Sequence, residues 1–166
     1  MVAGLKFPTG FTGEKNTVGT KFEPEFQPGS GSFDYILGGV YQAAAGRFNF
    51  AGNLSYVLNT EGAYDFEFGD MLTVSAAGDY LINPASKWPM RAGVDLVYQY
   101  EWQEKQDGVK NPDSGGARIL AGPVLNVGGL PSTDIFASLL FPAYQDLGGV
   151  HQELDYVGTL GAKIGW

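Results

Sequence analysis

The sequence predicts an all-β fold, an antiparallel up-and-down transmembrane β-barrel of about eight strands. Three observations carry that expectation. Segment after segment alternates apolar and polar residues with a period of two, which gives a strand one greasy face and one wet face. The links between these segments alternate between short and longer, as the turns and loops of a membrane barrel do. No run approaches the roughly 20 apolar residues of a membrane helix, and the mean hydropathy of −0.08 is near neutral, as short alternating strands leave it.

The first strand is expected at about Val2 to Pro8, ending in Pro-Thr-Gly. Thr9 to Gly31 carries Pro24, Pro28 and several glycines and reads as a long loop. The second strand, Ser32 to Ala44, sets Phe33, Tyr35, Leu37, Gly39 and Tyr41 on one side, and Gly46 turns it into the third, Arg47 to Asn59. There Phe48, Phe50, Leu54, Tyr56 and Leu58 oppose Asn49, Asn53, Ser55 and Asn59. The fourth is expected to run unbroken from Phe66 to Ile82, ended by Asn83-Pro84. The fifth, Trp88 to Gln103, alternates most clearly, with Trp88, Met90, Ala92, Val94, Leu96, Tyr98, Tyr100 and Trp102 against Arg91, Asp95, Gln99 and Glu101. Trp88 to Tyr98 covers roughly 33 Å of strand, or about 25 Å of height at a barrel tilt, which matches the apolar band of an outer membrane. A charged loop, Lys105 to Gly115, precedes the sixth strand, about Gly116 to Val127, and the seventh spans about Thr133 to Tyr144. Within the seventh, the run IFASLLFPAY has no regular faces.

The last strand, Glu153 to Trp166, sets Leu154, Tyr156, Leu160, Ala162, Ile164 and Trp166 against Glu153, Asp155, Thr159 and Lys163. Ending on an aromatic, it resembles the terminal strand of bacterial outer-membrane barrels, which the barrel-assembly machinery reads. An even strand number places both termini on the short-turn, periplasmic side, and closure would pair the last strand with the first.

Composition narrows the function. At 166 residues one domain is expected. There is no Cys, so disulfides, thiol catalysis and thiolate metal sites are absent. A formal net charge of −8 argues against a nucleic-acid partner, which needs a basic surface. The N-terminal MVAGLKFPTG lacks the charged-then-apolar order of a signal peptide. A soluble barrel or sandwich would bury the same aromatics in its core. Three features favour lipid instead: the other face is rich in Asn, Ser, Thr, Gly and paired charges, the link lengths alternate, and the chain ends on Trp166.

The wet face supplies the candidate lumen lining: Asn49, Asn53, Asp79, Arg91, Asp95, Gln99, Glu101, Arg118, Asp155 and Lys163. In an open pore these form a charged constriction that selects solutes. In a small filled barrel they form a buried network of paired charges, which the narrow interior of eight strands favours. Trp88, Tyr98, Tyr100, Trp102 and Trp166 are the expected membrane-interface aromatics. No catalytic residue or cofactor is expected: His151, the one histidine, falls in a link with no nucleophile arranged beside it. The acidic loop residues Glu14, Glu23, Glu25, Asp107 and Asp113 fit no calcium-loop spacing, so no metal is expected. Pro28-Gly29-Ser30-Gly31 lacks the Lys of a phosphate loop.

Five segments, in order along the chain, resemble the MetA-pathway-of-phenol-degradation family of outer-membrane proteins, commonly described as transporters. They are Gly4-Leu5-Lys6-Phe7-Pro8-Thr9-Gly10, Pro28-Gly29-Ser30-Gly31-Ser32-Phe33-Asp34-Tyr35, Phe68-Gly69-Asp70, Asp113-Ser114-Gly115-Gly116, and Phe141-Pro142-Ala143-Tyr144-Gln145-Asp146-Leu147. The resemblance implies an outer-membrane barrel that passes aromatic or other small hydrophobic compounds. It also implies longer members, with strands before the first of these segments. This chain is then either the C-terminal part of a larger barrel or a smaller one that closes by itself. The remaining alternatives are a filled barrel without transport and a soluble barrel that binds a hydrophobic ligand in its centre.

Overall fold

Alternation in the sequence becomes register in the sheet. The computed structural model describes residues 1–130, 133–149 and 153–164. Its strands are β1 (Val2–Lys6), β2 (Asp34–Ala45), β3 (Phe48–Leu58), β4 (Phe66–Glu67), β5 (Met71–Leu81), β6 (Met90–Glu101), β7 (Lys105–Gln106), β8 (Val109–Lys110), β9 (Gly116–Leu130), β10 (Thr133–Leu147) and β11 (Val157–Ile164). Eight of them form one sheet in the order β1-β2-β3-β5-β6-β9-β10-β11, and every neighbouring pair is antiparallel. This is an up-and-down meander. The other three make a small ribbon, β4-β7-β8, on one end of the sheet.

The expected closure between first and last strands is absent among the described residues: β1 and β11 are the two ends of the sheet. Both are short. β1 covers only the Asp34–Gly38 part of β2, and β11 covers only the Thr133–Leu140 part of β10.

The two faces differ as the alternation requires. One row of register runs Leu37, Tyr56, Leu72, Tyr100, Ala117, and the next runs Leu54, Val74, Tyr98, Ile119. Among the described residues, no other part of the protein covers this apolar face. Leu37 is 60 % exposed, Leu54 54 %, Val94 60 % and Leu160 79 %. Phe66, Leu120 and Leu140 are the only buried hydrophobic residues among those described, so a sandwich core is missing. The opposite, concave face carries Asn49, Ser55, Thr73, Ser75, Asp79 and Asn126, all half-buried.

Links are short at one end of the sheet and long at the other. Gly46 and Arg47 alone join β2 to β3, with Gly46 in the left-handed region a tight hairpin demands. At the opposite end lie residues 7–33, 59–70, 102–115 and the link from β10 to β11. No described helix is long and apolar enough to cross a membrane, which says nothing of strands.

Two expected boundaries are corrected, and the irregular run of the seventh strand has a structural cause. The fourth expected strand breaks at Phe68–Asp70 into β4 and β5. The Asp70 carboxylate accepts hydrogen bonds from the Asn59 amide (2.9 Å) and the Tyr56 hydroxyl, and Asn59 Nδ2 donates to the Gly69 carbonyl. These side-chain bonds pull the backbone off the strand path, and Phe66 turns into the loops to meet Phe68 edge-on at 4.9 Å. The last strand begins at Val157 rather than Glu153. Leu154 donates to and accepts from the Gln145 side chain (3.0 and 3.1 Å), which diverts residues 153–156. The irregular run of the seventh strand is a register shift between Pro142 and Tyr144 in β10. Proline cannot donate to the ladder, and a bulge is where a strand tolerates one.

The cavity on the concave face

The sheet is curled far enough that residues from seven of its strands line one cavity of about 620 Å³. Gln42 of β2, Asn49 of β3, Asp79 of β5, Arg91 of β6, Asn126 of β9, Phe136 of β10 and Lys163 of β11 all reach it. The cavity lies toward the short-turn end. Its charged centre is an ion pair between Arg91 Nη1 and Asp79 Oδ1 at 3.0 Å, both partly buried, with Asn49 Nδ2 donating to the same oxygen at 3.4 Å. Phe136 brings an aromatic ring into this polar wall, lying over Gly161, where any side chain would collide with it. Asp134 and Lys163, partners in register, stand at the β10–β11 edge.

A second, smaller space of about 90 Å³ sits at the loop end, lined by Met71, Gln99, Glu101, Arg118 and Leu147. The Arg118 Nε–H donates to Gln99 Oε1 at 2.7 Å, and the register row runs Thr73, Gln99, Arg118, Gln145.

Most lumen candidates read from the sequence therefore face inward, but they divide between two places. Asn49, Asp79, Arg91 and Lys163 line the large cavity; Gln99, Glu101 and Arg118 line the small one. Asn53 and Asp95 lie between, half-buried, opposite Ser75 and Gly122 respectively. Asp155 is misplaced: it is exposed in the link before β11, for the reason given by the Gln145–Leu154 bonds. Gln42, Asn126, Asp134 and Phe136 also line the cavity, though the sequence reading omitted them. Counting in twos from Arg118 would have found Asn126; the shift in β10 hides the other two cavity residues on that strand. Among the described residues no three acidic or His side chains gather as metal ligands would.

Aromatics mark both ends of the sheet. Tyr100 and Trp102 pack edge-on at 4.6 Å, with Tyr56 5.7 Å from Trp102, at the loop end. Phe48, Phe50 and Tyr80 cluster at the other, where Phe48 lies 4.9 Å from Tyr80 and 6.3 Å from Phe50. Trp88 is partly exposed in the turn before β6, and Tyr98 is half-buried one row in from Tyr100. Trp166 and His151 lie outside the described residues.

The loop end is knitted together by the five segments noted in the sequence. Lys6 of the first pairs with Asp34 of the second, and the Gly10 backbone sits against Gly29, too close for a side chain at either. Asp70 of the third holds Asn59, and Gly69 lies against the Trp102 carbonyl. Ser114 of the fourth bonds Asn111 and Glu104, and Gln145 of the fifth holds Leu154. A family model described as "Putative MetA-pathway of phenol degradation" matches residues 3–142. The chain belongs to this family. Four of the five segments fall wholly within the match, and the fifth enters it at Phe141 and Pro142. No curated protein and no solved structure matches the chain.

Proposed function

We propose that the eight-stranded sheet forms part of the wall of a β-barrel in a bacterial outer membrane, along whose concave face small hydrophobic or aromatic compounds pass chemically unchanged. One observation carries the reading: none of the described residues lies over the apolar face of the sheet, while the polar face surrounds a cavity. A water-soluble β protein buries its apolar face, whereas a lipid-facing barrel wall shows it and keeps polar groups inside. The partners that follow are membrane lipid on the outside, the barrel-assembly machinery at the terminal strand, and the solute within. Family membership supports an aromatic solute. Passage of this kind involves no enzymatic step.

Refolding the chain into lipid vesicles tests the reading. The expected result is a gel band whose migration changes on boiling, together with uptake of phenol above that of empty vesicles. A protein that stays monodisperse in water without detergent would rule out the membrane wall. Folded protein with no uptake would instead favour a filled barrel, a reading supported by the Asp79–Arg91 and Arg118–Gln99 contacts that already occupy the interior.

A further inference from the structure

Burial on this sheet is uneven. Ser32, Asp34, Phe66, Glu104 and Ser114 are buried where the long loops pack. Among the described residues of the long strands, away from those loops, only Leu120 and Leu140 are buried, at 5 % and 7 % exposure. Both belong to the concave set. Leu120 shares its register row with Asn53, Ser75 and Val97, and Leu140 is paired with Val157. Gly122, two residues along β9 from Leu120 and facing Leu140 in the register, approaches the Leu139 carbonyl and the Leu140 backbone so closely that no side chain fits, so β9 and β10 are pressed together here. Above this layer lies the small space beside Gln99 and Arg118; below it lies the large cavity. Neither leucine lines either space.

We propose that Leu120 and Leu140, with Val97 and Val157 beside them, form an apolar layer that separates the two spaces and is the barrier any solute must cross. The inference rests on the reading of the concave face as a passage and adds where it is shut. A hydrophobic constriction excludes water, and with it hydrated ions and polar solutes, while costing an apolar solute little. The charged residues on either side then act as two vestibules, and selection between polar and apolar solutes falls to the leucines.

The test uses the full chain in lipid vesicles, with phenol and glycerol as probes, comparing the wild type, the Leu120→Ala/Leu140→Ala double variant and a Leu96→Ala control on the bare outer face of β6. Folding of each is checked by heat-modifiable migration. The double variant should raise glycerol entry several-fold, with a smaller change for phenol, and Leu96→Ala should leave both near wild type. A rise in the double variant over an impermeant wild type would support the barrier while removing native transport. Folded double variant with glycerol entry unchanged would overturn the layer, whether or not the wild type passes phenol. Should the double variant fail to fold, Leu120→Met with single cysteines at Thr73 or Ala77 serves instead. A membrane-impermeant maleimide added on one side should label only one of these positions; labelling of both from the same side would overturn the layer.

Discussion

Asp34 is charged and fully buried, a combination tolerated only with partners. It has them: Lys6 across the β1–β2 ladder, and the Thr60 amide donating at 3.1 Å. Asp34→Ala should therefore cost about 2 kcal/mol, less than a fully buried pair because Lys6 can still reach water. The shift in the urea midpoint of unfolding from lipid or detergent reads it. Lys105 makes a different prediction, outside the strands of the sheet. Its hydrogen bond to the Glu67 carboxylate, 2.6 Å, holds its ammonium above the ordinary lysine pKa of 10.5. A raised pKa stabilises the folded loop fully below the unfolded value and loses that contribution as pH rises through the folded one. Limited proteolysis near β7 and β8 should accordingly accelerate only in strongly alkaline buffer, and Glu67→Gln should remove that pH step. Neither pairing was legible in the sequence. Lys6 and Asp34 are separated by a long loop, and only the register of β1 on β2 sets them opposite each other.

Single elements divide by how regular their alternation is. The strand expected from Trp88 to Gln103 is β6, trimmed by two residues at each end, because nothing interrupts its two-residue pattern. The sequence of β10 shows no regular faces because its register shifts after Pro142, and pattern alone does not say where a strand slips by one residue. The same limit divided the site: Asn49, Asp79 and Arg91 follow from alternation in regular strands, whereas Asp134 and Phe136 do not. Two substitutions test elements directly. Gly122→Val puts a branched side chain where β9 meets the Leu139 carbonyl, and overpacking of this kind costs about 1–3 kcal/mol; the yield of heat-modifiable protein should fall. Val94→Arg places a charge at the centre of the bare face of β6. In a bilayer it should destabilise by about 2–4 kcal/mol, and on a water-facing sheet it would be close to neutral. Unfolding from vesicles separates these outcomes.

At the scale of the molecule, the short-turn rim slopes against the hydrogen-bond rows. Ala45, Phe48, Tyr80, Ala92, Leu125 and Ala137 lie on one row. The β2–β3 turn sits on that row, but β9, four strand positions along, continues five residues past it, from Leu125 to Leu130. At that slope, a circuit of eight strands advances by about ten residues, which corresponds to a strand tilt of about 40°. That lies in the range of membrane barrels. If β1 and β11 join, the offset carries the row that reaches Leu160 onto Leu5, and sets Ala3 opposite Ala162. The chain has no native cysteine, so Ala3→Cys/Ala162→Cys is a clean probe. Oxidation in vesicles should give an intrachain crosslink; interchain crosslinks, or none in folded protein, would mean that these edges take other strands.

The meander also sets an order of events. Every long strand is bonded to its neighbours in the sequence, so the sheet can grow hairpin by hairpin from the two-residue turn at Gly46 and Arg47, each step closing a short loop. Lys6 cannot meet Asp34 until the long loop before β2 has folded back, which makes β1 a late addition. If β1 and β11 join, that step brings together residues far apart in the sequence and has the largest entropy of closure. Substitutions near Gly46 should therefore slow the appearance of folded protein, and substitutions on β1 should mainly speed its loss.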